Sequence, residues 1–121
     1  MKTKILVIED NEDNRRIVRD LLTNADYEVI EAVTGQEGVT AAETQGPELI
    51  LMDIQLPDFD GYEATRRIKA NPTLSPIPII AVTSYALSGD DVKAFEAGCD
   101  AYVTKPFSPR ELLAKIREYL E

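Results

Sequence analysis

Five positions in this chain carry side chains that could share one piece of chemistry. They are the adjacent carboxylates Glu9 and Asp10, the carboxylate Asp53, the hydroxyl of Thr83 and the ammonium of Lys105. Each stands where a short apolar run stops: residues 4–8, 49–52, 77–82 and 101–104. Carboxylates gathered in one place repel one another, and a cation must offset that repulsion. A few hard oxygen donors, with no histidine or thiol among them, suit Mg²⁺ or Mn²⁺ better than zinc or copper. A lysine and a hydroxyl beside such an ion are what the other oxygens of a transferring phosphoryl group need. Taken singly, each residue has a plainer account. Strands of α/β proteins commonly end in polar residues, and Lys105 alone reads as a solvated surface lysine. The combination points to phosphoryl chemistry.

For these groups to meet, the runs that precede them must be strands of one sheet. Leu49-Ile50-Leu51-Met52 shows no polar alternation, the pattern of a strand covered on both faces, and it stops at Asp53. Ligands of open α/β sheets bind just outside the carboxyl ends of the strands, which is where Asp53 then stands. Asp53 could instead cap the next helix, since aspartate is a favoured N-cap. Residues 54–57 include Pro57 and do not read as a helix start, whereas Asp60-Gly61-Tyr62-Glu63 is a capping-box pattern. Asp60 takes the capping role, and Asp53 is left for chemistry.

The rest of the chain alternates in the same way. Residues 4–8 form a second buried run ending at Glu9-Asp10. Asn11 caps a helix to about Ala25, with Ile17, Val18, Leu21 and Leu22 on one face. Residues 27–32 alternate more, as a strand nearer an edge does. Thr34-Gly35-Gln36-Glu37 opens a helix that stops before Gly46-Pro47. After the helix from Asp60 to about Ala70 and a loop over 71–76, residues 77–82 read as a strand, with Pro78 tolerable near its start. Ser88-Gly89-Asp90-Asp91 opens a helix closing at Gly98, and residues 101–104 form the last strand. Ser108-Pro109-Arg110-Glu111 opens a final helix carrying Leu112, Leu113, Ile116 and Leu120. Five strand–helix units with short connections predict a doubly wound, parallel α/β sheet with helices on both faces. Of the five strands, only the second contributes nothing obvious to the cluster.

Composition narrows the function further. The 121 residues make one domain, 1–121, with a core of useful size, and show no linker, repeat or attached effector segment. A formal charge of −9, from 13 basic and 22 acidic residues, disfavours direct binding to nucleic acid or an anionic membrane. Nothing resembles a signal peptide or a bilayer-spanning stretch, and the single cysteine, Cys99, fits a reducing cytoplasm as a small buried apolar residue. With no histidine in the chain, His-dependent hydrolysis, most zinc sites and a role as a phosphohistidine donor are excluded.

Glu9-Asp10, Met52-Asp53 followed by Pro57 and Gly61, Val82-Thr83-Ser84, and Tyr102-Val103-Thr104-Lys105-Pro106 together resemble the receiver domain of two-component response regulators. The resemblance spans essentially the whole chain and is specific in order and spacing. Ala81-Val82-Thr83-Ser84-Tyr85-Ala86, Gly89-Asp90 and Gly98-Cys99-Asp100-Ala101-Tyr102 are most similar to stand-alone regulators of the DivK kind, and receivers fused to hybrid kinases are similar there too. The resemblance implies a flavodoxin-like five-stranded sheet in the order 2-1-3-4-5. It makes Asp53 the phosphoacceptor, charged by a sensor histidine kinase, a histidine phosphotransfer protein or a small acyl phosphate. It implies Mg²⁺ held by Asp10, Asp53 and the backbone carbonyl of Gln55, with Glu9 acting mainly through water. Lys105, placed by a cis bond to Pro106, would pair with a phosphoryl oxygen. Thr83 would bond the new phosphoryl group, and Tyr102 would turn inward behind it. Gln55 and Tyr85 would tune the lifetime of the acyl phosphate, unless Tyr85 is a partner contact with no kinetic role, and about 88–120 would meet a downstream protein.

Such a chain is a phosphorylation-controlled binding module in the cytoplasm, catalysing only its own phosphorylation and slow dephosphorylation. A different class is a Mg²⁺-dependent phosphatase or phosphotransferase acting on small molecules through the same aspartate. Those enzymes usually place a second acid two residues on, where this chain has Gln55, and 121 residues leave little room for a substrate cap. A scaffold that keeps the fold without phosphorylation has no need of the intact set Glu9, Asp10, Asp53, Thr83 and Lys105.

Overall fold

Alternating apolar runs and capped amphipathic segments build five strand–helix units in the computed structural model, which describes residues 2–83 and 90–120, the side chains of Asp90 and Asp91 excepted. The strands are β1 (Lys4–Ile8), β2 (Glu28–Ala32), β3 (Leu49–Asp53), β4 (Ile79–Thr83) and β5 (Ala101–Thr104). The helices are α1 (Glu12–Asn24), α2 (Gly35–Gln45), α3 (Gly61–Lys69), α4 (Asp90–Ala97) and α5 (Pro109–Leu120). All neighbouring strands are parallel and the sheet order is β2-β1-β3-β4-β5, so the order reverses between β1 and β3. Cofactors and reacting groups of such sheets gather at that reversal.

Because side chains alternate along a strand, each central strand feeds two cores. Ile5, Val7, Leu49, Leu51 and Ile80 pack with Leu22 of α1 and with Leu112 and Ile116 of α5. Leu6, Ile8, Ile50, Met52 and Ile79 pack on the other face with Ala41 and Ala42 of α2, Ile68 of α3 and Ala94 of α4. Cys99 is buried in that second core, 3.6 Å from the Thr65 hydroxyl, and burial pushes its thiol up. It is a packing residue, as its sequence context suggests.

Each expected cap within the described residues closes its helix through a backbone N–H three residues on. Asn11 accepts from Asn14 at 2.9 Å, Thr34 from Glu37 at 3.0 Å, Asp60 from Glu63 at 2.9 Å and Ser108 from Glu111 at 3.1 Å. Gly46 ends α2 in the left-handed conformation, φ 62°. The proposed cap at Ser88 lies outside the described residues. Two strand starts differ from expectation. β4 begins at Ile79 rather than 77, because the Ile77 N–H donates to Leu74 in a turn while Pro78 lends only its carbonyl, to Ile50. The strand also runs one residue further, through Thr83. β2 begins at Glu28 because the Tyr27 N–H is taken by Leu22 at the end of α1.

Candidate functional site

The ends of β1, β3, β4 and β5 bring Glu9, Asp10, Asp53, Thr83 and Lys105 to one edge of the sheet. One carboxylate oxygen from each of Glu9, Asp10 and Asp53 lies within 4.8 Å of the others. Glu9 and Asp53 are buried, at 5% and 7% exposure, and Thr83 is buried as well. Asp10, the very next residue after Glu9, is exposed. The Lys105 ammonium donates to Glu9 Oε1 at 2.7 Å and to Asp53 Oδ2 at 3.2 Å. Asp53 Oδ1 accepts the Gln55 N–H at 3.0 Å, and Glu9 Oε2 accepts the Asn11 N–H at 3.3 Å. The peptide between Lys105 and Pro106 is cis. Tyr102 is half-buried and packs against the core on the α3–α4 face. Tyr85 lies outside the described residues.

The charges fit together as one cation shared by two buried anions. Burial works against the Lys105 ammonium, but its hydrogen bond to Glu9 and the charges of Asp53 and Glu9 outweigh that and hold Lys105 above the usual lysine range. Burial pushes the Glu9 carboxyl up, Asp53 pushes it further, and the opposing pull of Lys105 does not compensate. A buried charge that is only half neutralised is costly, and a divalent ion is the natural complement. Glu9, Asp10 and Asp53 supply a hard, all-oxygen donor set with no nitrogen or sulfur, which fits Mg²⁺ or Mn²⁺.

Mutual repulsion of the three carboxylates is not left wholly unrelieved without metal, because Lys105 bridges two of them. Asp10 is solvated rather than desolvated, so removing its charge relieves little. Asp10→Asn should therefore change metal-free stability by no more than about 0.5 kcal/mol. It should still lose most of the stabilisation by Mg²⁺, which for the wild type reaches roughly 1.4 kcal/mol at tenfold the dissociation constant. Urea melts in EDTA and in excess Mg²⁺ measure both. An unchanged Mg²⁺ response would remove Asp10 from the metal site.

A brace that no motif in the sequence reveals stands behind the acidic pair. Arg15 of α1 donates to the Glu9 backbone carbonyl at 3.0 Å and to Glu31 Oε1 at 3.0 Å, and Arg19 also pairs with Glu31. The Glu9 N–H in turn donates to the Ala32 carbonyl at 3.0 Å, so the Glu9 backbone is held on both sides. β2 thus contributes after all, through Glu31. Arg15 stands one turn after the Asn11 cap, and that spacing alone could have aimed it at the strand ends. A second brace comes from the loop after β3. Asp58 accepts the Gly35 N–H at 2.8 Å and the Gln36 N–H at 2.9 Å, at the N-terminus of α2. Desolvation works to raise the Asp58 carboxyl, but the backbone N–H groups of Gln36, Gly35 and Phe59 together outweigh it and hold it below the usual range.

With this geometry established, comparison with known proteins gives consistent matches. The family profile of the response regulator receiver domain matches residues 5–117. The polar-differentiation response regulator DivK of Brucella ovis is 41% identical over 120 residues, which is 99% of this chain and 98% of that protein. Among solved structures, a CheY-like receiver domain protein from Methanospirillum hungatei is 37% identical with a TM-score of 0.90, covering 99% of this chain and 94% of its own. The receiver domain of the sensor histidine kinase PA1611 from Pseudomonas aeruginosa is 38% identical with a TM-score of 0.93, covering 99% and 98%, and carries a magnesium ion coordinated in its active-site cleft.

Proposed function

The chain belongs to the response regulator receiver domain family, a phosphorylation-controlled signalling switch rather than a metabolic enzyme, and from that premise we propose that Asp53 is its phosphoacceptor. What supports this most directly is the Lys105 ammonium, 3.2 Å from Asp53 Oδ2, beside a cluster of carboxylate oxygens. An Asp53 oxygen attacks the phosphorus of a kinase or phosphotransfer-protein phosphohistidine, or of a small acyl phosphate. The Oδ–P bond forms as the bond from phosphorus to the imidazole nitrogen, or to the acyl oxygen, breaks. Asp10, Asp53 and the Gln55 carbonyl, with Glu9 acting mainly through water, would hold Mg²⁺, which would neutralise charge on the transferring oxygens. Lys105 exchanges its contact with Asp53 for one with a phosphoryl oxygen.

The switch follows from the contacts the new group makes. The Thr83 hydroxyl bonds the phosphoryl group and Tyr102 turns inward, a population shift driven by interactions present in only one state. The response reaches a partner protein through about 88–120, where Val92 and Phe95 of α4 and Tyr119 of α5 are exposed. Gln55, and Tyr85 by sequence, tune how long the acyl phosphate lasts, and its slow loss is the only other reaction catalysed. No described helix is long and apolar enough to cross a membrane, and we place the chain in the cytoplasm.

Incubation with acetyl phosphate and Mg²⁺ tests the assignment. Intact mass should rise by one phosphoryl group, EDTA should prevent it, and peptide mapping after borohydride reduction should place the modification at residue 53. Labelling without Mg²⁺, or at another residue, would sink the reading. For the switch, Thr83→Ala should still accept the phosphoryl group but lose most of the amide NMR shifts that beryllofluoride causes in 88–107, because the hydroxyl that reads the phosphoryl oxygen is gone. Wild-type-sized shifts in Thr83→Ala would contradict it.

A further inference from the structure

A cavity of about 400 Å³ opens beside the acidic site and shares Glu9, Asp53 and Lys105 with it. Its other walls are almost wholly apolar: Val7, Leu51 and Val82 on the sheet, Val18 on α1, and Phe107 and Leu112 at the α5 side. Ile17, also on its α1 side, is 61% exposed, so apolar surface runs outward to solvent. Close-packed cores hold few voids larger than a water molecule, and this volume is within the range of ligand sites. One end of the cavity offers a cation and a nucleophile, and the rest offers hydrocarbon. That polarity matches a small molecule with an anionic phosphoryl head and a short apolar tail.

We propose that this cavity receives the hydrocarbon part of small acyl phosphates, so that the protein takes phosphoryl groups from longer-chain acyl phosphates at lower concentration than from acetyl phosphate. The inference rests on Asp53 being the acceptor and names the class of small donor for that same site. The step balances without a proton or co-reactant. An Asp53 oxygen bonds to phosphorus, the P–O bond to the acyl group breaks, and the fatty carboxylate leaves with the electron pair. Lys105 faces the anionic head, and the half-buried Val18 and Phe107 line the space for the tail. Burial of one methylene is about fourfold in a binding constant, so the two extra methylenes of a butyryl group have a ceiling of about fifteenfold.

The experiment measures Asp53 labelling by intact mass in excess Mg²⁺ with acetyl, butyryl and hexanoyl phosphate. In the wild type, the half-saturating concentration should fall about five- to fifteenfold from acetyl to butyryl phosphate, and should not rise again for hexanoyl. In Val18→Phe, where the ring occupies the cavity from the α1 wall, the acetyl-to-butyryl ratio should collapse towards one. Equal half-saturation for all three donors in the wild type would overturn the proposal, as it would if the cavity served only a side chain of a partner protein. An undiminished ratio in folded Val18→Phe would also overturn it. A wild-type measurement stands beside the variant. Free hexanoate should compete with butyryl phosphate, and acetate at the same concentration should not. Absence of competition by hexanoate counts against the cavity. Failure of every donor, acetyl phosphate included, to label Asp53 would defeat the acceptor assignment itself, whereas labelling without chain-length preference defeats only the cavity.

Discussion

Asp53→Asn should take up no phosphoryl group from acetyl phosphate in Mg²⁺, and should be more stable than the wild type in EDTA. The first result follows from removing the proposed acceptor carboxylate, which shares the Lys105 ammonium with Glu9, since an amide oxygen is too weak a nucleophile to displace acetate from the phosphorus. The second comes from the charge balance at the strand ends. Glu9 and Asp53 are both buried, and one ammonium serves both. Asparagine keeps the shape of residue 53 and can still accept the Gln55 N–H, while Lys105 and Glu9 become a one-to-one pair. The gain should be about 1–2 kcal/mol, the usual size of a one-site effect. The Mg²⁺ response should fall in parallel, because a ligand is lost. Intact mass reports the labelling and urea melts report the stability. Undiminished labelling would refute the acceptor assignment, and an unchanged or lowered metal-free stability would refute the charge balance.

Gly61→Ala should be the more damaging change to the fold, although residue 61 carries no functional group. A Cβ at that position would stand 2.4 Å from the Asp53 carbonyl oxygen and 2.8 Å from Ile54 Cα. Both are backbone atoms, so no side chain can swing aside. The Gly61 N–H also donates to the Ile54 carbonyl at 2.8 Å, pinning the start of α3 against the end of β3. Overpacking of this kind costs about 2–3 kcal/mol. Relief requires moving the 53–54 peptide, so Mg²⁺ affinity should fall with stability. Gly46→Ala is the comparison. Nothing lies within 4 Å of its added Cβ, and only its φ of 62° opposes substitution. It should cost about 1 kcal/mol and leave Mg²⁺ affinity unchanged. Urea melts with a Mg²⁺ titration of both variants decide the matter, and equal costs at the two glycines would show that the close approach to Asp53 does not matter.

Much of this protein is legible along the chain because its local rules are short-ranged. Non-alternating apolar runs mark β1 and β3 as doubly covered strands. Asn11, Thr34, Asp60 and Ser108 mark helix starts through hydrogen bonds only three residues long. Strand ends carrying Glu9, Asp10, Asp53 and Lys105 then follow from the alternation, since parallel strands all end at one edge. Where β4 begins was less legible, because the Ile77 N–H is claimed by a turn to Leu74 that no apolar pattern encodes.

The electrostatic state of the site is a tertiary property. Glu9 and Asp10 are adjacent and chemically alike, yet one is buried against Lys105 and the other faces water. Nothing in their order distinguishes them, because the group that does so is 96 residues away in the chain. Likewise Arg15 acquires its role only when β2 brings Glu31 alongside α1, and Gly61 only when α3 folds back onto the Asp53 peptide. Residue types and periods therefore determined which groups would arrive at the strand ends. Long-range packing decided which of them lost their water, and so which charges had to be shared.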